Sequence, residues 1–116
     1  MEPKKEIAGK TYKVNLSHNA LGNIDDITTY IAFTNHQPLN AIKVVDGIFE
    51  TIERIGIHPF AFRECDEIPT KNKSYRQAAC LSWLVVYRIT LTDIVILGIV
   101  NAAMKPSRLK ALRKIR

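Results

Sequence analysis

Apolar and polar residues alternate with period two over Tyr12-Lys13-Val14-Asn15-Leu16, which predicts a first β-strand. Ser17-His18-Asn19 follows and offers N-cap side chains. Ala20, Ile24, Ile27 and Ile31 then recur at helical spacing, with Leu21 beside them, and predict an amphipathic helix of about four turns. Thr34-Asn35-His36-Gln37-Pro38 interrupts the pattern. The proline suits the first turn of a new helix, where its missing N–H would have no partner anyway. Ala41, Val45, Ile48, Ile52 and Ile55 mark a second amphipathic helix, which ends near Gly56 with Pro59 shortly beyond. So short a break predicts that the two helices pack antiparallel as a hairpin.

Phe60 to Lys73 reads as a loop, with Pro69, Asn72 and mixed charges. Three strand-like runs follow: Tyr75 to Cys80, Trp83 to Thr90, and Ile94 to Val100, the last two joined by a tight turn at Thr92-Asp93. Consecutive strands joined this way are antiparallel. The two longer runs are apolar throughout, which places them centrally in the sheet with both faces covered. The apolar stretch from Leu81 to Met104 is not a membrane span, because Arg88 and Asp93 interrupt it and a span needs about 20 nearly unbroken apolar residues. The expected fold class is α+β: a two-helix N-terminal hairpin on a small, mainly antiparallel four-stranded sheet, in the order β-α-α-β-β-β. Residues 1–11 form a polar arm, 12–104 the domain and 105–116 a basic tail. Leu109, Leu112 and Ile115 give that tail an apolar stripe, so a short basic helix is expected there. No internal repeat or low-complexity tract appears.

A chain of 116 residues, 47% of them apolar, fits one domain with one real core. Its net charge of +6 is unevenly spread. Residues 1–67 carry seven basic and ten acidic side chains, whereas residues 68–116 carry ten basic and one acidic, Asp93. That asymmetry implies a polyanionic or acidic partner for the C-terminal half, against the plainer reading of a solvated basic face. Cys65 and Cys80 lack metal-ligand spacing. Met1 to Lys10 is charged and does not resemble a signal peptide, so two reduced thiols in a cytoplasmic protein are expected, with a Cys65–Cys80 bridge as the alternative.

The order of elements, with these residues in them, resembles the RelE/ParE toxin superfamily over roughly residues 12–104. Tyr-Lys-Val-Asn-Leu-Ser-His-Asn-Ala is similar to its first strand running into the first helix, and Ile27-x-x-Tyr30-Ile31-Ala32 to a segment of that helix. Ile52-x-x-Ile55-x-x-x-Pro59 is similar to the end of the second helix and its proline turn. Arg76, followed after six residues by Trp83-Leu84-Val85-Val86-Tyr87-Arg88-Ile89, resembles the ParE branch most closely, and Ile94 to Asn101 fits the family's last strand. The resemblance implies the toxin half of a type II toxin–antitoxin, or plasmid stabilisation, system. In the ParE branch it implies a binding protein that poisons DNA gyrase and is neutralised by a cognate acidic antitoxin whose segment folds on binding. The alternatives are a RelE-like ribosome-dependent mRNA endonuclease, whose partners would be the ribosome and mRNA, and a degenerate member retained only as a binding module. A homodimer agrees with the sequence, which does not fix the oligomeric state. The departures are Asn101-Ala102-Ala103, where the family usually has a basic or histidine-containing turn, and Leu84, where mRNA-cutting members usually have an arginine.

RNA cleavage needs a base for the 2′-hydroxyl, an acid for the leaving oxygen and cations for the phosphorane. After Asp93 the chain has no Asp, Glu, His, Tyr or Cys, and lysine and arginine titrate far above neutrality. No catalytic residue, cofactor or metal site is therefore assigned. His18, His36 and His58 fall at helix or loop edges and read as surface or capping residues. Glu64, Asp66 and Glu67 read as a solvated acidic loop without zinc spacing. Candidate target- or nucleic-acid-binding cations are Lys71, Lys73, Arg76, Arg88, Lys105, Arg108, Lys110, Arg113 and Lys114. For Arg76 the structural alternative is an ion pair with Glu64 or Asp66. Tyr75, Trp83 and Tyr87 are candidate stacking residues, with Trp83 and Tyr87 on one strand face and core packing as their plainer reading.

Overall fold

The computed structural model describes residues 12–104 and 106–116, so the polar arm over residues 1–11 and Lys105 lie outside the described residues. Strand β1 (Lys13–Leu16) leads into helix α1 (His18–Thr29), which runs on through a wide π-type turn at Tyr30–Thr34. Helix α2 (Pro38–Ile57) and a single 3-10 turn at Pro59–Ala61 follow. Then come strands β2 (Tyr75–Cys80), β3 (Trp83–Ile89) and β4 (Asp93–Asn101), the short helix α3 (Pro106–Ala111) and a last turn at Leu112–Lys114. Ser17 caps α1 by accepting from the Ala20 N–H at 3.0 Å, and Pro38 opens α2. Between the helices His36 takes a left-handed φ of 54°, which reverses the chain.

The sheet order is β1-β4-β3-β2. β2, β3 and β4 form an antiparallel meander, and β1 lies parallel to β4 from Lys13↔Asp93 to Leu16↔Ile96. The two most apolar strands, β3 and β4, are the inner pair, as their composition predicts. Each covers both faces. Val85, Tyr87, Ile89, Ile94, Ile96 and Ile99 meet the helix hairpin through Ala20, Ile24, Ile27, Ile31, Ala41, Val44, Ile48, Ile52 and Ile55. Val86, Leu97 and Val100 turn the other way and are covered by Cys65, Ile68, Leu109 and Leu112. A fully buried aliphatic side chain such as Ile48 or Ile55 stabilises the fold by about 1.5–3 kcal/mol.

Three expectations change in detail. Val44 takes the core position on α2 and Val45 is only half-buried, while Leu21 on α1 is exposed. The β3–β4 loop is Leu91-Thr92, closed by Thr90 and Asp93: the Thr90 N–H donates to the Asp93 carbonyl at 2.8 Å. The pairing of β3 with β4 also slips by one residue, from Val86↔Gly98 to Tyr87↔Ile96, leaving Leu97 as an inserted residue. The bulge lies just past the end of β1, where β4 would present bare backbone groups. Side chains around the start of α1 satisfy them. Ser17 and Asn19 each donate to the Leu97 carbonyl at 3.0 Å, and Asn23 accepts from the Ile99 N–H at 2.9 Å. Gly98 permits this approach, because a Cβ there would stand 2.9 Å from Asn19 Nδ2 and 3.0 Å from Asn23 Oδ1.

Candidate functional site

The fold divides the predicted cations into separate groups. Lys71 and Lys73 stand exposed on the loop before β2, with Lys73 at a φ of 53°. Arg108 lines a shallow depression with Asn101, Ala103, Met104 and Ser107. Lys110 is exposed on α3. Arg88 is half-buried on the face of β3 away from the hairpin, and the chain end brings Arg113 and Lys114, with Arg116, around it to form one cleft with Ile115. Among the described residues none of these four cations makes a side-chain hydrogen bond or ion pair, and the one ion pair there is Arg63–Asp66 at 3.0 Å, on the surface.

Arg76 does not pair with Glu64 or Asp66. Its guanidinium donates to the carbonyls of Lys73 at 3.1 Å, Phe60 at 3.2 Å and Phe62 at 2.8 Å, and lies 5.0 Å from the centre of the Phe60 ring. It is a clamp on the loop between α2 and β2. Tyr87 belongs to the core and offers no ring face for stacking: it is fully buried and its hydroxyl donates to the Pro59 carbonyl at 2.6 Å. Burial pushes its pKa up, with the nearby Arg76 charge pulling partly back. Trp83 shares Tyr87's face, as the strand period predicts, and packs half-buried at the edge of the hairpin core. Tyr75 packs half-buried against the opposite core, paired across the sheet with Arg88.

The cysteines cannot pair. Cys65 belongs to the core on one face of the sheet and Cys80 to the core on the other, and both are free thiols. Burial pushes the Cys65 thiol up to about 11, so it stays protonated at neutral pH. Asp66 is taken up by Arg63, and Glu67 accepts the Cys65 thiol at 3.6 Å. His18, His36 and His58 are exposed at element ends. Among the described residues no three His, Cys, Asp or Glu side chains are grouped to hold a metal ion, and no helix is long and apolar enough to cross a membrane.

One surface feature went unpredicted. The outer side of α2 and the end of β2 enclose an open groove of about 1150 Å³. Leu39, Ile42, Phe49 and Leu81 line it and are all exposed, by 46% to 81%. Lys43, Asp46, Glu50, Glu53 and Arg54 rim it. Leu81, at the tip of the β2–β3 hairpin, holds a φ of 56°, a strained conformation for a large side chain. Residues 63–65 cover the first half of the outer edge of β2, where the Gln77 N–H reaches the Arg63 carbonyl at 3.0 Å. The strand alternation turns the Ala79 N–H and carbonyl to the same outer side, beyond that cover. A second apolar stripe on α2, at Leu39, Ile42 and Phe49, was the sequence signal for the groove.

A family model described as the ParE toxin of the type II toxin-antitoxin system, parDE, matches residues 14–106. Among solved structures the chain is similar to one described as the "Chromosomal ParDE TA system from P. aeruginosa", with a TM-score of 0.63 at 20% identity, over 78% of this chain and 96% of that chain. At that identity the likeness is one of fold. No curated protein matches the chain. The family match runs from β1 to the start of α3 and so takes in the whole sheet and both long helices; the chain belongs to the family of ParE toxins of type II toxin–antitoxin systems.

Proposed function

We propose that this ParE-family toxin stops growth by poisoning DNA gyrase in the cytoplasm, and that a cognate acidic antitoxin neutralises it. One observation carries the choice of gyrase over mRNA. The sheet face away from the hairpin is closed by apolar side chains rather than lined by acid and base groups. Leu84, at the place where mRNA-cutting relatives carry an arginine, packs into that core with Val86, Leu97, Met104, Leu109, Leu112 and Ile115. The one acid on β4, Asp93, is engaged by Asn15 at 3.2 Å. Among the described residues that face offers apolar side chains and cations, with its one β4 acid already bonded to Asn15, and this supports a binding role over acid–base cleavage of RNA.

The groove between α2 and β2 suits the antitoxin. Its apolar floor fits the anchors of an amphipathic segment, and the free edge at Ala79 fits an extended one, which is how a segment that folds on binding gains affinity. The test is induced expression in a bacterium with DNA, RNA and protein synthesis followed together. Arrest of DNA synthesis ahead of translation is expected. Early arrest of translation with cut mRNA would overturn the proposal in favour of the endonuclease, and growth without arrest by folded protein would leave only a binding module. In the same cells, Phe49→Asp is expected to retain toxicity and escape rescue by the antitoxin.

A further inference from the structure

We infer that the cleft formed by Arg88, Arg113, Lys114 and Arg116 is a binding site for the phosphodiester backbone of DNA. The four side chains come from distant parts of the chain, the last turn of residues 113–116 and Arg88 near the end of β3, and meet on one ledge. Leu109 and Leu112 bury themselves against the sheet and so fix the direction in which the last residues run; Ile115 follows them into the same core. The three cations of the final turn are thereby delivered to Arg88 by packing and do not simply trail from a loose end.

The electrostatics then point to an anion. Like charges brought together repel, and a protein with no use for the arrangement would place a carboxylate among them. Among the described residues none of the four side chains makes an ion pair with a carboxylate. Asp93 lies on the same face, across from Lys13, and its carboxylate accepts a hydrogen bond from Asn15 at 3.2 Å but makes no ion pair with the four. Lys13 lies on this same face, since Val14 and Leu16 turn to the hairpin, and it extends the positive surface across the sheet to β1, about 10 Å from β3. Arginines outnumber lysines in the cleft, and the guanidinium fork suits phosphate oxygens. The surface from Lys13 past Arg88 to Arg116 carries five cations and one acid, Asp93, between Lys13 and Arg88, an extended run that fits a phosphate backbone better than a single small anion. Lys71, Lys73 and Arg108 lie elsewhere and are not part of it.

The site needs only DNA, whichever cellular target the toxin has, so its test uses no gyrase. Binding of the full chain to a short fluorescein-labelled DNA duplex is followed by anisotropy across salt concentrations. Four phosphate contacts predict a loss of roughly 100-fold in affinity between about 50 and 200 mM salt. The double variant Arg113→Ala with Arg116→Ala changes exposed residues and is checked by thermal melting. It is expected to weaken binding at low salt by about tenfold or more and to flatten the salt slope by about two. Lys71→Ala with Lys73→Ala removes the same charge elsewhere and is expected to change little. Equal losses in the two double variants would mean that net charge alone binds DNA, and would overturn the site. So would failure to bind the duplex at low salt. Binding of a poly-glutamate peptide with the same dependence on Arg113 and Arg116, without binding of the duplex, would reassign the cleft to an acidic protein segment.

Discussion

The Tyr87 hydroxyl, at the centre of the sheet, donates a 2.6 Å hydrogen bond to the carbonyl of Pro59, the first residue after α2 and its cap. It ties the end of the helix hairpin to β3 from inside the core. Tyr87→Phe keeps the ring and leaves that carbonyl unmet, at a cost of about 1–3 kcal/mol. The melting temperature is expected to fall by about 4–8 °C for each kcal/mol, with the fold retained by circular dichroism. An unchanged melting temperature would show that the bond contributes nothing.

Arg76 holds three carbonyls of one loop at once, which a lysine cannot do with a single ammonium. Arg76→Lys is expected to destabilise nearly as much as Arg76→Ala, by about 0.5–1.5 kcal/mol each, since the largely exposed clamp loses its forked donor either way. Denaturant melts decide the point. A fully stable lysine variant would mean that charge rather than the planar fork matters there.

The bulge at Leu97 makes Asn23 and Gly98 a coupled pair. Asn23→Ala strips the Ile99 N–H of its acceptor, and Gly98→Ala drives a methyl group toward Asn19, Asn23 and Leu112, all within 3.0 Å of the new Cβ. Each is expected to cost about 1–3 kcal/mol. In the double variant the clash is partly relieved, so the combined cost is expected to be less than additive in a double-mutant cycle. Strict additivity would separate the two.

Alkaline pH is expected to weaken the fold. The Cys65 thiol and Tyr87 phenol are neutral when protonated, burial favours the neutral form, and the native state holds their protons more tightly than the unfolded chain does. Their contribution is complete below pH 9.0 and is lost as the pH climbs through about 11 for Cys65. Stability measured by urea melts should therefore decline across that interval, and Cys65→Ala should make the decline shallower. Parallel curves for the two proteins would remove Cys65 from the explanation.

The sequence carried the elements well because their signals are periodic. The short strand-like run Tyr75 to Cys80 coincides with β2, the run of β-branched and aromatic residues starts β3 at Trp83, and the helical spacing of isoleucines gives the buried face of the hairpin. Pairings that depend on backbone geometry stayed hidden. An inserted residue inside a continuous apolar strand, such as Leu97, breaks no visible pattern. Ser17 and Asn19 read as a helix start and Asn23 as an ordinary helix position, while their partners in β4 lie 76 to 80 positions away. Arg76 drew attention to nearby carboxylates because carbonyl groups have no letter in a sequence. The meeting of Arg88 with the chain end follows from Leu109 and Leu112 packing on the sheet, a tertiary event. Tyr87 and Trp83 are both stacking candidates by residue type, and only their positions across the sheet decide that one is sealed and the other half-open.

β4 has a place in the order of assembly that no other strand shares. It supplies Ile94, Ile96 and Ile99 to one core and Leu97 and Val100 to the other, and it is the strand on which β1 pairs. The Ser17 hydroxyl and the Leu97 carbonyl it meets are separated by 80 positions in the chain. Closing so long a loop is slow and gains nothing until its last contacts form. A nascent chain that has not yet reached residues 93–101 holds neither core, however well its helices are formed. Both cores of the toxin are therefore completed only late in its own synthesis, and a copy that ends before residue 93 is left without the strand that joins its two halves.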